Sequence, residues 1–230
     1  MSKPASPKPT APYIRRATLA DSPALSYICL ATADAGKSAE GNHSCGELPG
    51  LMFAEPYVHL LEGFGFVVAD PSKGDTEEVV GYCLSTWDTK AFERGMLETW
   101  LPPYREKYPL AATRGEETEA EHLRNLTSED KRYITIIHTY PWPASDVALA
   151  FSPAHMHIDI LPAYQRQGWG KKLIGEVVRS LRDEKGLDTL WLGLDPRNLE
   201  AKKFYARLGF KDMPEAPGAV MGLRFEDWKD

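Results

Sequence analysis

The sequence predicts an α/β domain built on a mixed sheet with helices on both faces. Three observations carry that prediction. The strand-like run His157-Ile158-Asp159-Ile160-Leu161 stops at Pro162, and a short loop with two glycines leads into an amphipathic stretch in which Leu173, Ile174, Val177, Val178 and Leu181 recur at helical spacing. A second such pair follows, Leu190 to Leu194 and then Asn198 to Phe210. Upstream, the β-rich runs Phe64 to Ala69 and Val79 to Trp87 flank Asp70-Pro71-Ser72-Lys73-Gly74-Asp75, which predicts an antiparallel hairpin.

Taken in order, Met1 to Pro12 is rich in proline, serine and lysine without an apolar centre, so a disordered leader is expected over residues 1–12. Tyr13 to Ala17 reads as a strand. Asp21-Ser22-Pro23 offers an N-cap with an early proline, starting a helix toward Ala31. Asp34 to Pro49 is small, polar and glycine-rich, hence loop, and Leu51 to Glu62 reads as a second helix. About 60 residues then separate Trp87 from Phe151, too long for a plain connection. We place an insertion at about 88–152. Within it, Thr89 to Tyr108 has helical character until Pro102-Pro103, Arg114 to Lys131 reads as a solvated helix or mobile segment, and Tyr133 to His138 as an extra strand. Such an insertion either roofs an acceptor pocket or forms a homodimer contact. Gly218 to Phe225 reads as the terminal strand, so one domain is expected over 13–230.

The loop Gln165-Arg166-Gln167-Gly168-Trp169-Gly170 between strand and helix is an anion site in outline. Main-chain N–H groups converge there, and the helix dipole adds partial positive charge. Glycines at 168 and 170 leave the backbone open to a phosphate. A Walker A loop fails, because Lys172 follows Gly170-Lys171 where a hydroxyl is required. A dinucleotide fingerprint fails too, because Leu173 stands where its third glycine belongs.

The pattern Gln/Arg-x-x-Gly-x-Gly after a strand ending in Pro162-Ala163-Tyr164 resembles the acetyl-CoA loop of the GNAT acyltransferase superfamily. Asn198-Leu199-Glu200-Ala201-Lys202-Lys203-Phe204-Tyr205-Ala206-Arg207-Leu208-Gly209-Phe210 resembles that superfamily's second motif, and Ile14 to Asp21 is similar to its first strand and helix start. A narrower resemblance, to the acetyltransferase-like domain of O-GlcNAcases and its stand-alone microbial relatives, rests on His155 to Leu161, on Thr32 to Gly36 and on the insertion. Some members of that group are thought to have lost cofactor binding, whereas this chain keeps a complete loop.

The resemblance implies a GNAT fold, with a mixed, mostly antiparallel central sheet and helices on both faces, and acetyl-CoA as acyl donor. It implies that the main chain at Ile160 and Leu161 meets the thioester, and that the loop Gln165, Arg166, Gln167, Gly168, Trp169, Gly170 and Lys171 holds the pyrophosphate. Asn198 would contact the pantetheine arm, and Tyr205 would bind the sulfur and protonate it. Asn198 also suits a helix N-cap, and the two roles can coexist. An acceptor amine must lose a proton, having an ordinary pKa of about 10.4 if lysine-like. Strand alternation puts His155, His157 and Asp159 on one face and Met156, Ile158 and Ile160 on the other. The first face should meet the cleft. There His157 takes the proton with Asp159 behind it, or Asp159 binds the ammonium and passes the proton through water; His155 lies farther back and reads as structural. Asp34, Asp88 and Asp195 fall at predicted element ends, and Asp34 and Asp88 join His157 and Asp159 as candidate acceptor contacts. Trp87, Trp142, Trp169 and Trp191 could stack on a sugar or simply pack.

Composition narrows the class. A net charge of −6 argues against non-specific binding to nucleic acid or anionic membranes, and no apolar run approaches the roughly 18 residues of a membrane helix. Cys29, Cys45 and Cys83 are odd in number and widely spaced, which points to a reducing, cytoplasmic setting and, being outside the motifs, disfavours a covalent acetyl-enzyme. His43 and Cys45 are two isolated ligands, so no metal site is expected. The expected activity is direct acetyl transfer to the primary amine of a small molecule, such as an amino sugar or polyamine. The rivals are a non-catalytic acyl-CoA-binding module and a protein or histone lysine acetyltransferase.

Overall fold

A computed structural model describes residues 9–73, 76–114, 120–140 and 144–229. Residues 1–8 of the expected leader and Trp142 lie outside them. Seven strands form one sheet in the order β1-β2-β3-β4-β5-β7-β6: β1 Tyr13–Arg16, β2 Gly63–Asp70, β3 Glu78–Thr86, β4 His155–Ile160, β5 Thr189–Gly193, β6 Lys211–Asp212 and β7 Val220–Arg224. All neighbours are antiparallel except β4 and β5. The expected hairpin is β2–β3, and the mixed α/β architecture is as the sequence predicts.

One parallel pair is short. Strand β4 runs beside β3 along its whole length, from Gly81↔Ile160 to Thr86↔His155, but meets β5 in register only at His155↔Trp191. Beyond that point the two strands diverge. Leu161 N donates to Val80 O, so antiparallel alternation turns the N–H groups of Ile158 and Ile160 away from β3 and into the split.

Each face of the sheet carries its own core. Helices α8 (Trp169–Lys185) and α9 (Leu199–Leu208) cover one face, where Leu173, Ile174, Val177 and Leu181 pack on Val68, Val80, Met156 and Leu190. This is the apolar stripe seen in the sequence. On the other face lie α1 (Ser22–Leu30), α2 (Leu48–Phe53), α3 (Pro56–His59), α4 (Thr89–Gly95), α5 (Leu101–Lys107) and α6 (Ser128–Thr139), against Val67, Tyr82 and Leu84. A short helix α7 (Asp146–Phe151) leads back to β4. The insertion therefore contributes helices to a core shared with the N-terminal helices.

Four local expectations change. Tyr133 to His138 is helical, inside α6. Its Ile134-Thr135-Ile136-Ile137 run has strand propensity, but a capping box at Thr127 and Asp130 starts a helix whose Tyr133, Ile134, Ile136 and Ile137 are buried. The helix over Leu51 to Glu62 is two helices, α2 and α3, with Pro56 opening the second. Pro102-Pro103 does not end the helical stretch, because a five-residue π turn (Met96–Trp100) intervenes and the prolines fall in the first turn of α5. Asp21 does not cap α1 by its side chain; the carboxylate pairs with Arg15 Nη2 at 2.6 Å and accepts from Thr18 N at 2.7 Å.

Candidate active site

The loop after β4 owes its shape to three features. The side chain of Gln165 donates to Ile160 O, and that of Gln167 to Ala163 O, each at 2.8 Å, pinning both sides of the turn. Arg166 adopts φ 61° and Gly168 φ 83°, so the chain passes twice through left-handed conformation. Gly168 is the N-cap of α8, with no side-chain cap. The first helical bond runs from Lys172 N to Gly168 O, leaving the N–H groups of Gly168, Trp169, Gly170 and Lys171 without intrahelical acceptors.

The two glycines serve different ends. A Cβ at Gly168 would meet nothing within 4 Å, so the space beside the free amides is open, and the positive φ itself calls for glycine. A Cβ at Gly170 would lie 2.8 Å from Phe204 Cζ. Gly170 therefore lets α9 approach α8, a packing role beside the expected one of leaving the backbone open to a phosphate. Lys172 Nζ lies 4.5 Å from the Trp169 ring centroid, and the Trp169 ring joins the α8–α9 core as packing.

A cavity of about 540 Å³ opens beside the β4–β5 split. His155, His157 and Asp159 from β4, Tyr205 and Asn198 from α9, and Arg132, Tyr133 and Phe92 from the insertion line it. The sequence-predicted groups on β4 and α9 thus come together. Asp159 faces Tyr82 across the β3–β4 pair, and the Tyr82 hydroxyl donates to Asp159 Oδ2 at 2.7 Å. His157 Nε2 is 3.0 Å from the same oxygen but off the line of a hydrogen bond, so this buried nitrogen has no hydrogen-bond partner among the described residues. Tyr205 is only 8% exposed, and burial, then the charge of Asp159, pushes its phenol well above the usual range.

His155 is held differently. Thr89 Oγ1 donates to Pro153 O at 2.7 Å, so at 2.7 Å from His155 Nδ1 it accepts; Nε2 then accepts from the Tyr57 hydroxyl, also at 2.7 Å. Burial first, and His157 nearby, push this imidazole down to about 3. Neutral and doubly bonded, His155 positions β4 against α3 and α4.

Asn198 caps α9, its Oδ1 accepting from Ala201 N at 3.0 Å, while it also lines the cavity. Asp34 lines a second, polar chamber of about 610 Å³ that shares Ala33, Arg132, Tyr133 and Asp195 with the first, and it pairs with Arg197 Nη1 at 3.0 Å. Asp88 does not belong with them. Its carboxylate caps α4 by accepting from Ala91 N at 2.9 Å, and it lines neither cavity. Two groups escape sequence reasoning altogether. Cys29, from α1, lies on the cavity wall near His157 and Asp159, and Tyr82 holds Asp159; neither sits in a motif, and only the sheet register and the packing of α1 reveal them.

The Acetyltransferase (GNAT) family model matches residues 47–210, a span that holds β4, its loop, α8, β5 and α9. The chain belongs to the GNAT family. The donor in this family of acetyltransferases is acetyl-CoA. Among solved GNAT-like structures, the crystal structure of SsHAT is 29% identical with a TM-score of 0.74, covering 94% of this chain and 98% of that one. A putative GNAT acetyltransferase from Desulfovibrio desulfuricans shares the fold at 14% identity, with a TM-score of 0.50 over 94% and 99% of the two chains. Among curated proteins, the ribosomal protein bS18-alanine N-acetyltransferase of Haemophilus influenzae is 42% identical over 57 residues, and that of Haemophilus ducreyi 28% over 96. The matches span 25% and 38% of this chain and 38% and 63% of those proteins. Among the described residues no helix is long and apolar enough to cross a membrane.

Proposed function

We propose that this GNAT protein transfers an acetyl group from acetyl-CoA directly to the primary amine of a small molecule held in the cavity beside β4. The observation that carries this reading is the cavity itself. Tyr205, His157 and Asp159 line it together with Trp191 and Leu192 of β5, and Phe92, Arg132 and Tyr133 of the insertion wall it where we expect the acceptor. A walled chamber favours a compact acceptor over a long peptide groove.

The α8 N-terminus fits a diphosphate, for it offers four N–H groups without helical acceptors, no capping side chain and open space beside Gly168. Acetyl-CoA supplies the thioester carbonyl and a thiol leaving group. The N–H groups of Ile158 and Ile160 donate into the split toward that carbonyl, whereas the Leu161 N–H, expected to join them, is spent on Val80 O. Gln165 and Gln167 brace the loop, Arg166, Trp169 and Lys171 flank the phosphates, and Asn198 faces the pantetheine arm from the end of α9. Tyr205 holds the proton for the departing sulfur.

On the acceptor side, Asp159 attracts the ammonium, with Tyr82 fixing its carboxylate. His157 Nε2, free of a competing partner, takes the proton, or Asp159 relays it through water. Asp34 and Asp195 border the outer chamber through which an acceptor with polar groups extends. The resemblance to the O-GlcNAcase-associated domain adds support, because Gly36 abuts Asn198, tying the Thr32 to Gly36 segment to the same cleft.

The names of the Haemophilus relatives favour a second reading, acetylation of a protein's N-terminal amine. Thiol release from acetyl-CoA, measured over amino sugars, polyamines, free amino acids and lysine or alanine peptides, separates the two. Turnover confined to the small amines supports the proposal, and turnover confined to peptides replaces it with the second reading. Acetyl-CoA binding without turnover on any amine would leave a non-catalytic module.

A further inference from the structure

Cys29 reaches the cleft from α1, a helix that carries none of the acetyl-CoA motifs. Its Sγ, a ring nitrogen of His157 and a carboxylate oxygen of Asp159 all lie within 4.8 Å of one another on the wall of one cavity. His157 Nε2 is buried without a hydrogen-bond partner among the described residues, although Asp159 Oδ2 is 3.0 Å away. Tyr82 engages one oxygen of Asp159 and leaves the carboxylate its other lone pairs.

We propose that Cys29, His157 and Asp159 form a site for one borderline-soft divalent cation of the zinc type, and that a cation bound there shuts the acceptor end of the cleft. One sulfur, one imidazole nitrogen and one carboxylate oxygen is a donor set that suits zinc, cobalt or cadmium and excludes magnesium or calcium, which take oxygen. Metal–ligand bonds of about 2.0–2.3 Å put tetrahedral ligand atoms roughly 3.5 Å apart. Side-chain rotation of about 1 Å therefore closes the triangle, and the open cavity leaves the fourth position to solvent. The balance is simple: the Cys29 thiol gives its proton to buffer as the S–metal bond forms, and the imidazole nitrogen and the carboxylate oxygen each bind through a lone pair. The cation then occupies His157 and Asp159, the two groups the acceptor needs, while the α8 amides stay free.

Cobalt(II) alone, titrated into the full chain without acetyl-CoA, tests the site independently of any activity. A saturable 1:1 thiolate-to-cobalt charge-transfer band, lost in Cys29→Ala and in the size-preserving Cys29→Ser and reversed by zinc, supports the proposal. Absence of the band, or its survival in both folded variants, overturns it, because Cys45 or Cys83 would then be the ligand or there would be none. Should turnover be found, zinc should raise the apparent KM for the amine without changing acetyl-CoA affinity. Cys29→Ala, measured against its own uninhibited rate, should need at least tenfold more zinc for the same fractional inhibition. Equal inhibition of both proteins would also overturn the site. A protein that binds cobalt but acetylates nothing refutes the proposed function and leaves the cation site standing.

Discussion

Replacing Gly168 by glutamate separates the conformational role of this residue from its place beside the acyl donor. A Cβ there meets nothing within 4 Å, so the folded state has room for the side chain, and the direct cost is the left-handed φ of 83°. That strain is about 1–2 kcal/mol for an L-residue. For a chain of this size it lowers Tm by about 2–8 °C. The same open space is where a diphosphate would meet the N–H groups of Gly168 to Lys171. Losing two charge-assisted hydrogen bonds of about 1.5–3 kcal/mol each weakens CoA binding by about 3–6 kcal/mol, or roughly 10²–10⁴-fold. Calorimetry with CoA and a thermal melt of the same sample read both quantities. Gly168→Ala carries the same strain without the obstruction, so its melting point should match and its CoA affinity should fall far less. Glutamate at 168 with wild-type affinity in a folded protein would refute the assignment of the diphosphate to this turn.

Other outcomes follow from the same geometry. Gly170→Ala forces a Cβ against the Phe204 ring at 2.8 Å, and this over-packing should cost about 1–3 kcal/mol in denaturant unfolding while leaving the loop's φ angles allowed. Tyr205→Phe should reduce kcat at least tenfold with CoA affinity unchanged in calorimetry, because the role proposed for the hydroxyl is proton donation alone and the ring remains in the core. Asp130→Asn should destabilise the protein by roughly 2 kcal/mol at pH 7 and flatten its acid limb, both read from urea unfolding across pH. Burial alone would raise that carboxyl, but bonds from Ser44, Thr127 and His43 outweigh it and hold it at about 2, against 3.8 ordinarily. Its contribution is therefore complete above pH 4 and lost as pH falls toward 2.

What could be read in the sequence was what is local. The β4–loop–α8 unit and the β5–α9 unit are each continuous in the chain, so strand alternation, glycine spacing and helical period locate them and place His157, Asp159 and Tyr205 on one cleft. What escaped is long-range. The isoleucine-rich stretch of α6 has strand propensity, and only its capping box and its burial against α2 and α5 make it a helix. Asp88 looked like a cleft residue because it falls just beyond β3, yet the helix that starts beside it claims its carboxylate. Cys29 and Tyr82 reach Asp159 from elements 130 and 77 positions away in the chain, and no spacing rule announces such a meeting.

Amide hydrogen exchange over residues 156–172, with and without CoA, tests the central claim most directly. Slowed exchange at Gly168 to Lys171 and at Ile158 and Ile160, with helix α6 unchanged, is the result expected of a donor held by the α8 N-terminus and aimed along the β4–β5 split. Saturating CoA that leaves those amides exchanging as before, or protects only residues elsewhere, would contradict it.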